Sequence, residues 1–234
     1  RRQKYLPRRD GLMWRLRLRR LHRLRRARGT PLQHCWQQPL PSTSSDWRQV
    51  SFLVCDAEMS SLEPATGELL SLGWVAIEHG GVELGSARHH LIRAADSVGQ
   101  SATVHQLRDC ELVDAQTIEQ VMAAFLAAAA GRVLVFHNAF LDMAFLNKAA
   151  RALYGAPLLL PTVDTLALEE RLLRRRDQAI QAGDLRLQGC RDRYSLPPYP
   201  AHNALLDALA TAELLLAHSR HRAGRGKLAL SQLM

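Results

Sequence analysis

Three short segments place carboxylates where a purely structural chain would have little use for them. In Asp56-Ala57-Glu58 the acids follow the apolar run Phe52-Leu53-Val54-Cys55. Side chains alternate along a strand, so both acids project from the face shared by Phe52 and Val54. Two carboxylates that close repel by roughly a few kcal/mol at an effective dielectric near 20, and something cationic must offset them. An exposed strand end is the competing account of this segment alone. In Val135-Phe136-His137-Asn138-Ala139-Phe140-Leu141-Asp142 a buried strand runs into a helix with Asp142 in its first turn. Its helical neighbours Phe145, Leu146 and Ala149 put this acid on the inward face. A simple dipole effect, worth about 0.3–1 kcal/mol, competes with a chemical role. In His202-Asn203-Ala204-Leu205-Leu206-Asp207, Asp207 shares a helical face with Ala204, Ala210, Thr211 and Leu214, and Asn203 is placed to cap the helix. A lone histidine at such a junction is more often structural.

Taken together, four acids and one imidazole, each beside a strand or helix end, describe a hard-cation site. Oxygen donors favour Mg²⁺ or Mn²⁺. Two such ions about 3.5–4 Å apart can stabilise the attacking and leaving oxygens of a phosphodiester cleavage. A histidine near neutral pKa supplies a general base for the attacking water.

The elements that must position these groups begin near residue 51. Residues 51–58 read as a strand covered on both faces. Leu69–Glu78 is a second strand, His79-Gly80-Gly81 a hairpin turn, and Val82–Ile92 a third, more polar strand. Asp114–Ala130 reads as an Ala-rich helix, 132–136 as a short buried strand, Ala139–Tyr154 as a helix and Pro161–Thr165 as a strand. Helices are expected to fill most of 166–193, and Asn203–Arg222 is the last strong one. Three adjacent strands followed by alternating helix and strand predict an α/β fold, a mixed sheet with flanking helices.

The chain has 234 residues, 47% of them hydrophobic, enough for a substantial core. Its net charge of +9 is not spread evenly. Residues 1–28 hold 13 of the 31 Lys+Arg and a single acid, Asp10, for a net +12; the other 206 residues hold 18 basic and 21 acidic side chains, for a net −3. A slightly acidic body thus carries a basic N-terminal arm. Its Gly11–Arg28 stretch alternates leucine with arginine, and a helix would sort it only partly, gathering Leu12, Leu16 and the neighbouring Met13 on one side while Leu21 and Leu24 drift round. Three readings of this arm stand open: a solvated tail, a nucleic-acid arm whose affinity falls with salt, and a membrane-surface helix or presequence. Residues 29–49, punctuated by Pro, Gly and Ser, read as a linker. Cys35, Cys55, Cys110 and Cys190 are far apart and form no CxxC, so neither a zinc knuckle nor a disulfide framework is expected, and a reducing compartment is. The longest apolar run, Val121–Ala130, is too short to span a bilayer. Leu-, Ala- and Arg-rich usage points to a bacterial, cytoplasmic chain.

The order Asp-x-Glu, His-Asn-x-x-x-Asp, His-x-x-x-x-Asp-Ala resembles the DEDDh family of 3′–5′ exonucleases, which includes the epsilon proofreading subunit of bacterial replicative polymerase and RNase T. The resemblance covers roughly residues 50–220. Thr103-Val-His-Gln-Leu107 looks like the family's Ile-His-Gly-Ile segment, and Val163-Asp-Thr-Leu-Ala-Leu168 adds a second lesser match. The tyrosine branch of the family has Tyr four residues before the last acid; Asn203 stands there, so the histidine branch fits. The resemblance implies a ribonuclease-H-like sheet with three N-terminal antiparallel strands. It further implies an exonuclease domain over 50–222, a C-terminal tail over 223–234, and two divalent cations, Mg²⁺ or Mn²⁺. Asp56, Glu58 and Asp207 would hold the first ion, Asp56 bridging to the second, with Asp142 supporting the second and His202 deprotonating water. The implied product is a nucleoside 5′-monophosphate released from a 3′ end.

Departures from the family pattern cluster where it contacts the terminal nucleotide. Met59-Ser60-Ser61 replaces Thr-Thr-Gly or Met-Thr-Gly, Leu141 stands for a Phe, and Gln106 for a Gly. Met59 and His105 are candidates to pack on the terminal base or sugar, with core filling the equal alternative. Asp164 is read as structural and His137 as serving its loop. DNA is the first-choice polymer because His-x-Ala-Leu-Leu-Asp-Ala looks most like the epsilon type. RNA-end trimming or oligoribonucleotide degradation is the alternative, and a non-catalytic nucleic-acid-binding module a third. The expected partners are a single-stranded nucleic-acid 3′ end and a separate polymerase or other protein subunit. The tail from Ser219 is a candidate docking segment or a frayed basic end.

Overall fold

In a computed structural model the chain is described over residues 10–93, 115–200 and 203–234. The segment 103–107 with His105, Cys110 and His202 lie outside the described residues.

Apolar residues on both faces make β1 (Phe52–Met59) the central strand of a five-stranded sheet. The other strands are β2 (Leu69–Glu78), β3 (Gly81–Leu91), β4 (Val133–Phe136) and β5 (Thr162–Asp164), in the order β3-β2-β1-β4-β5. β1, β2 and β3 pair antiparallel, joined at the second turn by His79 and Gly80, both with positive φ. β4 and β5 pair parallel to β1, each reached through a helical crossover as parallel strands require. The mixed sheet expected from the sequence is therefore present.

The crossover helices are α3 (Ile118–Ala129) and α4 (Ala139–Tyr154), and α5 (Thr165–Arg175) follows β5. α3 starts four residues later than expected, because Thr117 and Gln120 form a reciprocal capping box that fixes its first turn. Within 166–193 the helices are α5 and the short α6 (Leu187–Asp192), separated by turns in which Asp177 and Gly183 take positive φ. α7 (Ala204–Ala223) packs across β1 and β2.

Residues 29–49 depart from the linker expected of them. Thr30 caps α2 (Pro31–Gln37), with Pro31 in the first turn, where its missing N–H costs nothing. Leu32, Cys35 and Trp36 then enter the core at helical spacing, and the Trp36 indole donates to the Leu158 carbonyl (2.6 Å). The punctuation that suggested a linker is the start signal of a helix. Trp47 follows in a 3₁₀ turn (Trp47–Gln49) and is buried too. The C-terminal residues are likewise docked rather than frayed. Leu228, Leu230 and Leu233 are buried, the last two on α8 (Leu230–Leu233). The Leu230 and Ser231 amides donate to the Ser45 and Thr43 carbonyls (2.9 and 2.8 Å). Among the described residues no helix is long and apolar enough to cross a membrane.

Candidate active site

Asp56 and Glu58 lie at the end of β1, two residues apart on one face, as the strand alternation predicts. Across the antiparallel ladder Asp56 pairs with Gly73 and Glu58 with Ser71. The register slips between Glu58 and Met59, so β1 breaks its regular pairing directly after the second acid.

The third acid arrives on α7. Asn203 caps this helix by accepting from the Leu206 amide (3.1 Å), which puts Asp207 in the first turn. The helix can sit this low on the sheet because Gly73 has no side chain: a Cβ there would lie 2.3 Å from the Leu205 nitrogen and 2.4 Å from the Ala204 carbonyl carbon. One carboxylate oxygen each of Asp56, Glu58 and Asp207 consequently falls within 4.8 Å of the others, all three residues being half-buried.

Asp142, only 6% exposed, stands beside this trio in the first turn of α4. Its Oδ1 accepts the amide of Ala57, the residue between the two β1 acids (3.1 Å). The start of α4 is set by Asp164, whose carboxylate accepts from the amides of Asn138 (3.0 Å), Ala139 (3.2 Å) and Leu166 (3.0 Å). That grip holds Asn138 in the left-handed region at φ 68° and simultaneously caps α5.

Such a concentration of negative charge shows in the acids themselves. Burial first, then the charges of Asp142, Asp207 and Glu58, push Asp56 well above the usual carboxylate range. Burial drives Asp142 up to about 7, against the pull of its own amide and that of Ala57, with Asp164 and Glu58 adding to the rise. Like charges about 4 Å apart repel by roughly 4 kcal/mol at an effective dielectric near 20. The donor set is all carboxylate oxygen, which fits hard divalent cations of the Mg²⁺ or Mn²⁺ kind and suits soft metals poorly.

Of the residues picked from sequence, Asp56, Glu58, Asp142 and Asp207 come together. Met59 is half-buried at the end of β1 and packs partly against the core. His202 and His105 lie outside the described residues. Described residues before and after His202 are joined by hydrogen bonds. Buried Arg191 donates to the carbonyls of Pro197 and Ala210 (2.6 Å each) and to Glu213 (2.8 Å), and the Tyr199 hydroxyl donates to Glu213 (3.0 Å). His137 turns to its loop, with Nε2 donating to the Leu185 carbonyl (2.9 Å) and Nδ1 2.8 Å from Thr165 Oγ1.

Gly73, Asp164 as an amide clamp, and Arg191 are the positioning residues that sequence reading did not single out for the site. A glycine inside an apolar strand is itself a signal of close backbone approach, and Gly73 between Leu72 and Trp74 carries it.

An exonuclease family model, RNase T, matches residues 53–215. The PolC-type DNA polymerase III of Thermotoga petrophila is 29% identical over 176 residues, which is 75% of this chain and 12% of that protein. DNA polymerase III subunit epsilon of Treponema pallidum is 25% identical over 185 residues, 76% of this chain and 83% of that one. Among solved structures, E. coli exonuclease I in complex with a dA16 oligonucleotide superposes with a TM-score of 0.61 at 17% identity, over 76% of this chain and 42% of that one. The chain thus spans a small fraction of the PolC-type relative and under half of the exonuclease I chain.

Proposed function

The chain belongs to the RNase T family of exonucleases, is of the DEDDh type and has the ribonuclease-H-like fold, and on that premise we propose that it is a metal-dependent 3′–5′ exonuclease acting on DNA ends. The observation that carries the reading is the convergence of Asp56, Glu58 and Asp207 within 4.8 Å, with buried Asp142 alongside. Like charges at such proximity repel and destabilise a fold, and a cation-binding role accounts for their convergence.

Asp56, Glu58 and Asp207 would hold one divalent ion, with Asp56 shared by a second that Asp142 supports. Bound there, the ions supply positive charge for the scissile phosphate and for a water at neutral pH. The protein's own groups do the rest. Asp142, with one oxygen engaged by the Ala57 amide, is held against the strand and cannot swing away. His202, directly before the capping Asn203, takes the proton from the attacking water. The water oxygen bonds to phosphorus as the phosphorus–O3′ bond breaks, and O3′ takes a proton from solvent, releasing a nucleoside 5′-monophosphate and a chain shorter by one unit that ends in a free 3′ hydroxyl. Met59, ending β1 next to Glu58, and His105 are placed in this reading against the terminal nucleotide.

DNA is favoured because the curated relatives are named as DNA polymerase III proteins and the exonuclease I neighbour was crystallised with a dA16 oligonucleotide. The same names make a polymerase a candidate partner. The folded domain proposed is residues 50–222, with the N- and C-terminal segments packed on it.

The test is a gel assay on 5′-labelled single-stranded DNA and RNA of matched sequence, with Mn²⁺ or Mg²⁺ and an EDTA control. A metal-dependent ladder shortening from the 3′ end, lost in Asp207→Ala, is the expected result. Faster RNA shortening would move the substrate to RNA ends. Tight binding without shortening would leave a nucleic-acid-binding module.

A further inference from the structure

Over its described residues, 10–28, the basic arm is not a solvated tail. Helix α1 (Asp10–Arg23) lies against the body through Met13, Leu16 and Arg20, all buried, and Ala27 is buried just beyond it. Arg20 Nε donates to the Leu159 carbonyl (3.0 Å) and its Nη1 to that of Trp36 (3.4 Å).

That docking fixes what the opposite face presents. Trp14, Leu18 and Leu21, spaced i, i+4 and i+7, form a second apolar stripe turned outward, 62%, 44% and 66% exposed. Exposed arginines border it: Arg17 on one side, Arg15 and Arg19 with His22 on the other. Among the described residues none of these arginines is paired with a carboxylate. A groove of about 250 Å³ between α1 and the chain at Pro157 and Leu159 is lined by Leu18, Arg19, His22 and Arg23. A docked helix needs one apolar stripe; this one has two, and the outer is framed by cations.

We propose that the outward face of α1 is a docking surface for an anionic lipid bilayer, with Trp14, Leu18 and Leu21 entering the headgroup–acyl boundary and the flanking arginines meeting lipid phosphates. Three observations favour lipid over nucleic acid. Leucines gain nothing from phosphate contacts or base stacking, whereas they gain from leaving water for the acyl boundary. A surface with Trp and Leu on one stripe and Arg beside it is the composition of an interfacial helix, and each added basic residue near an anionic surface contributes about fivefold in partition. The position also points away from the substrate. Arg20 and Trp36 bind the Leu158–Leu159 carbonyls, which precede β5, at the end of the sheet where the parallel strands begin. Asp56 and Glu58 lie towards the other end of β1, about 13 and 20 Å along the strand from its first residue, Phe52. The face open to a membrane is therefore not the face that would receive a 3′ end.

Trp14 provides the readout, because Trp36, Trp47 and Trp74 are all buried. The full chain is mixed with vesicles of phosphatidylglycerol and phosphatidylcholine in equal parts, with phosphatidylcholine alone, and with a single-stranded DNA oligonucleotide, following tryptophan emission and flotation. The expected result is a blue shift and flotation with the anionic vesicles only. Leu18→Glu/Leu21→Glu, both at exposed positions, should lower partition by at least about tenfold with nuclease activity on DNA unchanged. Trp14→Phe should abolish the shift while flotation largely persists. Failure to float with anionic vesicles, or equal flotation of the double variant, overturns the proposal. A shift caused by DNA and not by vesicles would overturn it too and make α1 a nucleic-acid arm.

Discussion

The carbonyl of Ala204 occupies the space that a side chain on Gly73 would need: a Cβ built on Gly73 lies 2.5 Å from that oxygen and 2.3 Å from the next amide nitrogen, of Leu205. Gly73 is also the ladder partner of Asp56. One absent methyl group thereby lets the first turn of α7 rest on β2 and bring Asp207 to Asp56 and Glu58.

Gly73→Ala should therefore act on the site through the backbone. Real contacts begin near 3.4 Å, so the start of α7 must retreat by about 1 Å or the strand must yield, at about 1–3 kcal/mol. A displacement of that size is expected to lower kcat/KM on the order of a hundredfold. Kinetics on a labelled oligonucleotide, alongside Mn²⁺ titration by calorimetry, would check it. A variant with near-native activity and metal affinity would show that α7 is not held in place by this contact.

The acid cluster should make the metal-free protein less stable than it could be. Asp56 sits among Asp142, Asp207 and Glu58, and Asp56→Asn keeps its shape while removing one member of the repulsion. In EDTA at neutral pH the variant should melt higher than wild type, by about 3–6 °C if about 1.5 kcal/mol is relieved. Millimolar Mn²⁺ should reverse the order, because binding stabilises only the form that retains its ligand. Thermal unfolding of both proteins with and without metal distinguishes this from a site in which Asp56 is satisfied by the protein alone.

Much of this was legible in the sequence, for identifiable reasons. β2 could be bounded from its apolar residues alone because it is buried on both faces and ends at a glycine turn. The four acids could be picked because strand alternation and helical spacing each put them on an inward face. What local patterns could not show was tertiary. Nothing near Thr30-Pro31 says that Leu32 and Trp36 find a core formed by distant residues such as Leu158. Nor does anything near Glu169 say that it will be fully buried between α5, α7 and the end of α6. The apparent linker and the tail at 228–233 were misread because they pack against each other, through Ser45 and Leu230, nearly the whole chain apart.

Glu169 gives a pH-dependent prediction. Burial alone would raise its carboxyl, but bonds from His218 (2.6 Å), Tyr194 (2.7 Å) and Arg193 (3.1 Å) outweigh burial and hold it below its ordinary 4.5. A depressed carboxyl contributes stability above its unfolded value and loses it as pH falls through the folded value. Glu169→Gln should therefore be destabilised by about 3 kcal/mol at neutral pH, and the gap to wild type should narrow below 4.5. Urea unfolding of both proteins across that range measures it. A gap that is constant with pH would mean that packing, not charge, makes Glu169 matter.

Asp164 is the case in which a structural acid governs the chemical ones. Its carboxylate accepts three amides, and two of them, from Asn138 and Ala139, are the entrance to the helix that carries Asp142. Asp164→Ala removes the cap of α5 and leaves the left-handed Asn138 turn without its acceptors, a loss of about 2–4 kcal/mol. The first turn of α4 should then shift and loosen the bond between Asp142 and the Ala57 amide, so kcat should fall about tenfold or more while KM for an oligonucleotide changes little. Asp164→Asn keeps Oδ1 for the Asn138 and Leu166 amides and loses only the acceptor facing Ala139, so it should recover most of the stability and part of kcat. Urea unfolding and steady-state kinetics on the two variants separate the effects. Equal kcat values for Asp164→Ala and wild type would show that Asp142 keeps its place without the clamp.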